Sequence, residues 1–157
     1  MKTRMVLLTI ALGASALAQS TNGYVFFAPG GVSVAGHTGM TLQAGAGADV
    51  ILGKGVGVGA EISALGPRDS LADSVGMFSA NGSFHFIREK GRKVDPFVTG
   101  GYTLMFRSGT ANMVNFGAGA NYWFHNRLGL RVEFRDHVFT QTARVHYWGV
   151  RLGLSFR

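Results

Sequence analysis

Arg131, Glu133 and Arg135 recur at every second position, a spacing that puts all three side chains on one face of an extended chain. Asp49, Glu61 and Arg151 stand at the corresponding polar positions of three other alternating stretches. Charges on an enclosed face are costly unless opposite charges pair with them. The residues therefore predict one buried network, with Glu61 and Glu133 facing Arg131, Arg135 and Arg151 and with Asp49 on the same face. Such a network either binds an interior together or gates a narrow ion path. Histidine offers little beside it: His85, His125, His137 and His146 fall in different segments, and no two have helical or hairpin spacing suited to a metal.

The elements that must hold these charges are strands. In the last eleven residues, 147–157, Trp148, Val150, Leu152, Leu154 and Phe156 alternate with Tyr147, Gly149, Arg151, Gly153 and Ser155, a period of two. The same code recurs in segments 40–52, 55–66, 78–86, 95–106, 112–124 and 128–137, each pairing an apolar row with a row of Gly, Ser, Asn, Thr or charge. A further segment, 23–33, completes a set of eight. Phe26-Phe27 and Pro29-Gly30-Gly31 interrupt its alternation, so its faces are not assigned by pattern. Gly53-Lys54-Gly55 reads as a tight hairpin turn between the segments on either side.

Composition narrows the class. The 157 residues carry 15 Lys and Arg against 8 Asp and Glu, but the positive residues are scattered along the chain instead of forming a stripe, which argues against a nucleic-acid partner. No run of 18 apolar residues is present, so the sequence contains no helical membrane span. Residues 1–18 read as a secretory signal peptide: Lys2 and Arg4, an apolar core, and a small-x-small site at Ala16-Leu17-Ala18. Residues 19–157 are then expected to form one domain. No cysteine is present, which leaves no lipoprotein acylation site and no disulfide framework.

Eight alternating strands suit a soluble barrel as well as a membrane one, and the polar face separates the two. A soluble barrel needs a charged exterior, whereas this face is dominated by Gly, Ser, Asn and Gln. Turned inward, the same residues fill a narrow eight-stranded barrel, and the apolar rows meet hydrocarbon. The predicted fold is therefore all-β: an eight-stranded antiparallel up-and-down transmembrane β-barrel with a side-chain-filled polar lumen and both termini at one end. Two aromatic girdles are expected, from Tyr24, Phe84, Phe86, Phe97, Tyr122, Phe124 and Phe156 at the terminus end and Phe78, Phe106, Phe134 and Trp148 at the other.

The leader, the eight segments and the stretches FGAGANYWFHNRLGLRVEFRDHV and YWGVRLGLSFR resemble the small outer-membrane β-barrel proteins of Gram-negative bacteria, the OmpA/OmpX-like group. That resemblance implies the outer membrane, periplasmic termini, a monomer without cofactor or metal, and outer-membrane lipids and lipopolysaccharide as surroundings. It also implies recognition of the last strand by the barrel-assembly machinery, with Tyr147, Gly149, Leu152, Leu154 and Phe156 resembling the signal and Arg157 added after it. Some barrels of this size modify lipid A with a histidine and a serine at the lipid edge. The nearest local fit, Arg135-Asp136-His137-Val138-Phe139-Thr140, has no serine two residues beyond the histidine and no glutamate after it. The expected role is thus structural or surface-interacting and non-enzymatic, with a channel gated by the lumenal Glu/Arg pairs or a lipid A-modifying enzyme as alternatives. The predicted loops away from the termini, 34–39, 66–73, 107–111 and 138–143, are short, and Arg68, Arg107, Arg144 and His146 form a candidate rim for lipopolysaccharide phosphates.

Overall fold

The computed structural model describes residues 20–34, 37–86, 93–141 and 145–157; the predicted signal peptide and Arg144 lie outside the described residues. Among them the chain forms eight antiparallel strands: β1 (Ser20–Val34), β2 (His37–Ile51), β3 (Val56–Pro67), β4 (Val75–His85), β5 (Val94–Phe106), β6 (Thr110–Trp123), β7 (Leu128–Phe139) and β8 (Val145–Phe156). Each strand pairs with its neighbours in sequence, and β8 returns to β1, so the sheet closes on itself. Alternation accounts for the strands directly, because each buried polar row is matched by an exposed apolar row on the opposite face of the pleat.

The register gives the barrel its width. Passing from partner to partner, Gly23, Ala48, Ala60, Ala80, Tyr102, Val114, Val138 and His146 lead back to β1 at Ser33, ten residues beyond the start. With roughly 3.3 Å per residue and 4.8 Å between strands, that stagger over eight strands corresponds to a strand tilt of about 40°. Such a cylinder has an interior wide enough for side chains and little else. Pro29 lies in the closing seam: pairing of β1 with β8 runs from Gly23 and Phe156 to Phe27 and Leu152, lapses at Ala28 and Pro29, and resumes at Gly30 and Gly149. A proline has no N–H to give to the ladder, and the interruption falls where it stands.

Strand ends follow from turn chemistry. At the β2–β3 hairpin Lys54 (φ 64°) and Gly55 (φ 82°) both adopt left-handed backbone, and the Leu52 N–H donates to the Val56 carbonyl at 2.7 Å. The longer β3–β4 connection contains a single 3₁₀ turn, Leu71–Asp73, closed by the Ser74 hydroxyl donating to the Leu71 carbonyl at 2.6 Å.

Two expectations for the aromatics need correction. Tyr24 and Phe97 are buried in the lumen and not in a girdle, because β1 presents odd-numbered residues outward while β2 to β8 present even-numbered ones. Phe134 pairs with Ala118 and Val150 near the middle of its strand, away from either end. On the outer face Phe84, Phe86, Tyr122, Phe124 and Phe156 remain at the terminus end and Phe78, Phe106 and Trp148 toward the other, all exposed.

Glycines on the inner face make room for the large side chains opposite them. A Cβ on Gly153 would collide with the Val25 carbonyl and crowd Phe26, whereas a Cβ on the outward Gly23 would meet nothing within 4 Å. Gly153→Val is expected to lower the stability of the folded barrel by about 1–3 kcal/mol or to block folding, with Gly23→Val close to wild type. Urea titration of the folded fraction, followed by heat-modifiable mobility in detergent electrophoresis, measures both.

Candidate functional site

The lumen is built in three tiers along the barrel. At the terminus end His85 and Asp95 are in contact, Nδ1 lying 2.9 Å from Oδ2. Asn121 donates to the same carboxylate at 3.3 Å and accepts from Ser155 at 3.0 Å. Phe97 stacks on His85, and Arg157 lies 3.7 Å over the Trp123 ring, so the last residue of the chain covers this end.

The middle tier contains the charged residues singled out in the sequence. Arg131 sits between the rings of Tyr24 and Phe97, its guanidinium carbon 4.2 Å from each centroid, and bridges Glu133 at 3.0 Å and Asp49 at 3.4 Å. Arg135 holds the other oxygen of Glu133 and donates to Asn115 at 3.1 Å. Arg151 pairs with Glu61 at 2.7 Å, donates to Gln43 at 3.2 Å and covers the Phe26 ring. The charges thus divide into two groups, Asp49–Arg131–Glu133–Arg135 and Glu61–Arg151, and Tyr24 joins them by donating its hydroxyl to Glu61 at 3.1 Å. All six charged groups are almost wholly buried, and three arginines face three carboxylates.

At the far end the polar filling gives way to an apolar plug of Leu65, Met77 and Met113, with Val75, Met105, Phe139 and Tyr147 packed against it. Met77 and Met113 have no exposed surface, so the plug fills this part of the lumen. Below the plug, Asn115 donates to Asn81 and to Thr103, each at 2.9 Å, and Thr103 shares a 2.8 Å hydrogen bond with Ser79. Asp95, His85, Gln43, Asn115, Tyr24, Phe26 and Phe97 belong to the site although they were not among its predicted residues. For His85, Gln43 and Asn115 the same period-two alternation carries the signal, and extending the fifth segment's polar row back to its first residue adds Asp95. The two β1 aromatics had none, since the first segment's pattern is broken.

The remaining candidate residues lie elsewhere. Leu152, Leu154 and Phe156 face outward on β8, while Tyr147 and Gly149 face inward, Tyr147 against Phe139. The predicted rim residues Arg68, Arg107 and His146 lie at the end away from the termini. Arg68 donates to the Met40 sulfur at 3.6 Å, and His146 contacts Asp136 at 3.0 Å. Arg107 is tied to the β3–β4 connection, donating to the Asp73 carboxylate at 3.2 Å and to the carbonyls of Ala72 and Asp73.

This architecture is that of the small outer-membrane β-barrels. Solved structures similar to it include the N-terminal β-barrel domain of Pseudomonas aeruginosa OprF (TM-score 0.66, 17% identity, covering 88% of this chain and 98% of that one). Neisserial surface protein A matches with a TM-score of 0.69 at 11% identity, over 88% and 97% of the two chains. Ail, the attachment invasion locus protein of Yersinia pestis, matches with a TM-score of 0.53 at 13% identity, over 87% and 96%. No protein-family model and no curated protein matches the chain. At these identities the likeness is one of fold.

Removing one member of a buried ion pair leaves its partner uncompensated, which costs about 3–5 kcal/mol. Arg151→Met is expected to destabilise the barrel by that amount, and the double change Glu61→Gln with Arg151→Met by less, as read from equilibrium unfolding in lipid vesicles. At the rim, the Ser70 hydroxyl and then the Arg107 guanidinium hold the Asp73 carboxyl below its ordinary range. Because the folded value is the lower one, this loop contact stabilises the fold above about pH 4 and is lost as pH falls through the folded value. NMR titration is expected to find Asp73 depressed in the wild type and raised toward the ordinary value in Ser70→Ala.

Proposed function

We propose that this chain is a non-conducting barrel of the outer membrane, with both termini in the periplasm, that serves a structural or surface-contact role in the cell envelope. The observation that carries the reading is the filled lumen with its paired charges: Arg131 clamped between two rings, its neighbours paired, and the methionine plug above them. A conducting pore needs a continuous wet path, and side chains of this size in a barrel of this width leave none. In this reading the lumen catalyses nothing; its ion pairs bind the staves together. A signal peptide at residues 1–18, and recognition of Tyr147, Gly149, Leu152, Leu154 and Phe156 by the assembly machinery, complete the proposed route to the membrane.

The surface role draws support from the similar structures, one a surface protein and another an attachment invasion protein. The rim then supplies the contacts, with Arg68, Arg107 and His146 as cationic groups for the lipopolysaccharide phosphates, and Arg144, outside the described residues, as a further candidate from the sequence. Short connections between strands suit contact with lipid better than capture of a large ligand. In planar bilayers the wild-type protein is expected to show no discrete conductance, and Glu133→Ala and Arg151→Ala to leave the record unchanged. Steps that appear in either variant would favour the gated channel instead.

A further inference from the structure

The two ends of the barrel differ in charge. At the end away from the termini the exposed cations Arg68 and Arg107 stand among the exposed acids Asp69 and Asp73, and Arg107 bridges Asp73 at 3.2 Å. At the terminus end Lys54, Lys93, Arg127 and Arg157 are exposed, and among the described residues no exposed acid accompanies them. The acids of this end, Asp49 and Asp95, are buried in the lumen. Among the described residues neither Lys93 nor Arg127 contacts a carboxylate. The β4–β5 connection, 87–92, lies outside the described residues and takes no part in the site.

Three of these cations are brought together by the ends of β5 to β8. The Trp123 N–H donates to the Lys93 carbonyl at 2.7 Å, and the Arg157 N–H donates to the Arg127 carbonyl at 3.1 Å. The Arg157 guanidinium lies 3.7 Å over the Trp123 ring. Lys93 directly precedes Val94, Arg127 directly precedes Leu128 and Arg157 directly follows Phe156, each of these apolar residues being the outermost of its strand at this end. The headgroup layer is about 5–7 Å thick on each side of the hydrocarbon. A charge one residue beyond the last apolar side chain therefore stands at the level of the lipid phosphates. Between Lys93 and Arg127 the outward row of β6 runs Tyr122, Ala120, Ala118. Pro96 and Val132 flank Ala120, and Val98 and Phe134 flank Ala118. Two alanines between larger neighbours leave a shallow channel one strand wide, and with about 4.8 Å between strands it takes one acyl chain.

We propose that Lys93 and Arg127, with Arg157 beside them, seat the phosphodiester of an anionic phospholipid, one acyl chain of which lies along Ala120 and Ala118. The seat rests on the reading of this chain as a membrane barrel, and with the termini in the periplasm its lipid belongs to the periplasmic leaflet. Phosphate oxygens accept from the planar fork of Arg127, and the Lys93 ammonium adds a second charge on a flexible stem. Arg157, held over Trp123, strengthens the positive field without leaving the barrel. A zwitterionic headgroup brings its own ammonium into that field and gains less from it. An acidic soluble partner meets the same cations but has nothing to lay in the alanine channel, which is why the lipid fits better.

The test folds the full-length protein into phosphatidylcholine vesicles with a trace of spin-labelled phosphatidylglycerol or spin-labelled phosphatidylcholine. Electron paramagnetic resonance then reads the fraction of label immobilised at the protein. Preference for phosphatidylglycerol is expected, weakening as salt is added. Lys93→Gln and Arg127→Gln are each expected to lower its association constant roughly fivefold, Arg127→Lys to keep most of it, and Ala118→Phe to weaken it with every charge in place. Heat-modifiable mobility checks that each variant is folded. Equal immobilisation of both labels by the folded wild type overturns the proposal and leaves the cations to an acidic soluble partner. A preference that both glutamine variants leave unchanged overturns it too, as does an equal loss in the opposite-end variant Arg68→Gln with Arg107→Gln. An Ala118→Phe protein that binds like wild type overturns the acyl channel. Label in both leaflets makes the result independent of orientation, whereas a tag placed before Ser20 that protease reaches on intact cells counts against the periplasmic termini alone.

Discussion

Hydrocarbon offers no hydrogen bonds, so every N–H and C=O of a strand within it has to find its partner in another strand. An open sheet cannot meet that condition at its two edges, and β1 and β8 meet it only by pairing with each other. The rest of the molecule depends on this closure. It fixes a stagger of ten residues around the eight strands, the stagger fixes the tilt and radius, and the radius fixes what the lumen can hold. Pro29 stands in the closing seam itself, where the lapse in the ladder is confined to one pair of positions and pairing continues on either side.

A lumen of that size is filled by matching large side chains with glycines across the barrel. Tyr24 passes over Gly47 and Phe26 over Gly153, and Trp123 lies against Gly129. Between these side chains the six charges are enclosed, where an unpaired ion is costly. Pairing is accordingly dense: Glu133 takes an arginine on each oxygen, Arg131 takes two carboxylates and two aromatic faces, and Tyr24 links the groups. Buried pairs of this kind are weak evidence for extra stability, because desolvation offsets their attraction. What they do well is penalise a shift of register, since a slip of one residue would turn every charge toward lipid.

Fold likeness reaches further than sequence likeness here. Structures with 11–17% identity superpose over nearly nine-tenths of this chain, since an eight-stranded barrel demands only alternation, glycine and a filled interior. Those demands leave loops and rim free to differ, and a fold of this kind hosts unrelated roles. What distinguishes this chain is therefore sought in its own side chains: a filled lumen in which three arginines pair with buried acids.

The number of strands, their type and the assignment of the six charges to one face were legible in the sequence, because side-chain alternation is a local property of the pleated backbone. Arg131, Glu133 and Arg135 share a face in any extended conformation. Where alternation broke, at Phe26-Phe27, legibility ended: nothing local said that β1 presents odd positions outward, and so Tyr24 was misplaced. Phe97 was misplaced beside it although its neighbours alternate normally. Pairing across strands was not local at all. Arg151 takes Glu61, 90 residues away, rather than Glu133 on the adjacent strand, and Arg131 reaches Asp49 across the barrel. Local pattern decided which way each side chain points, and closure decided what it meets there.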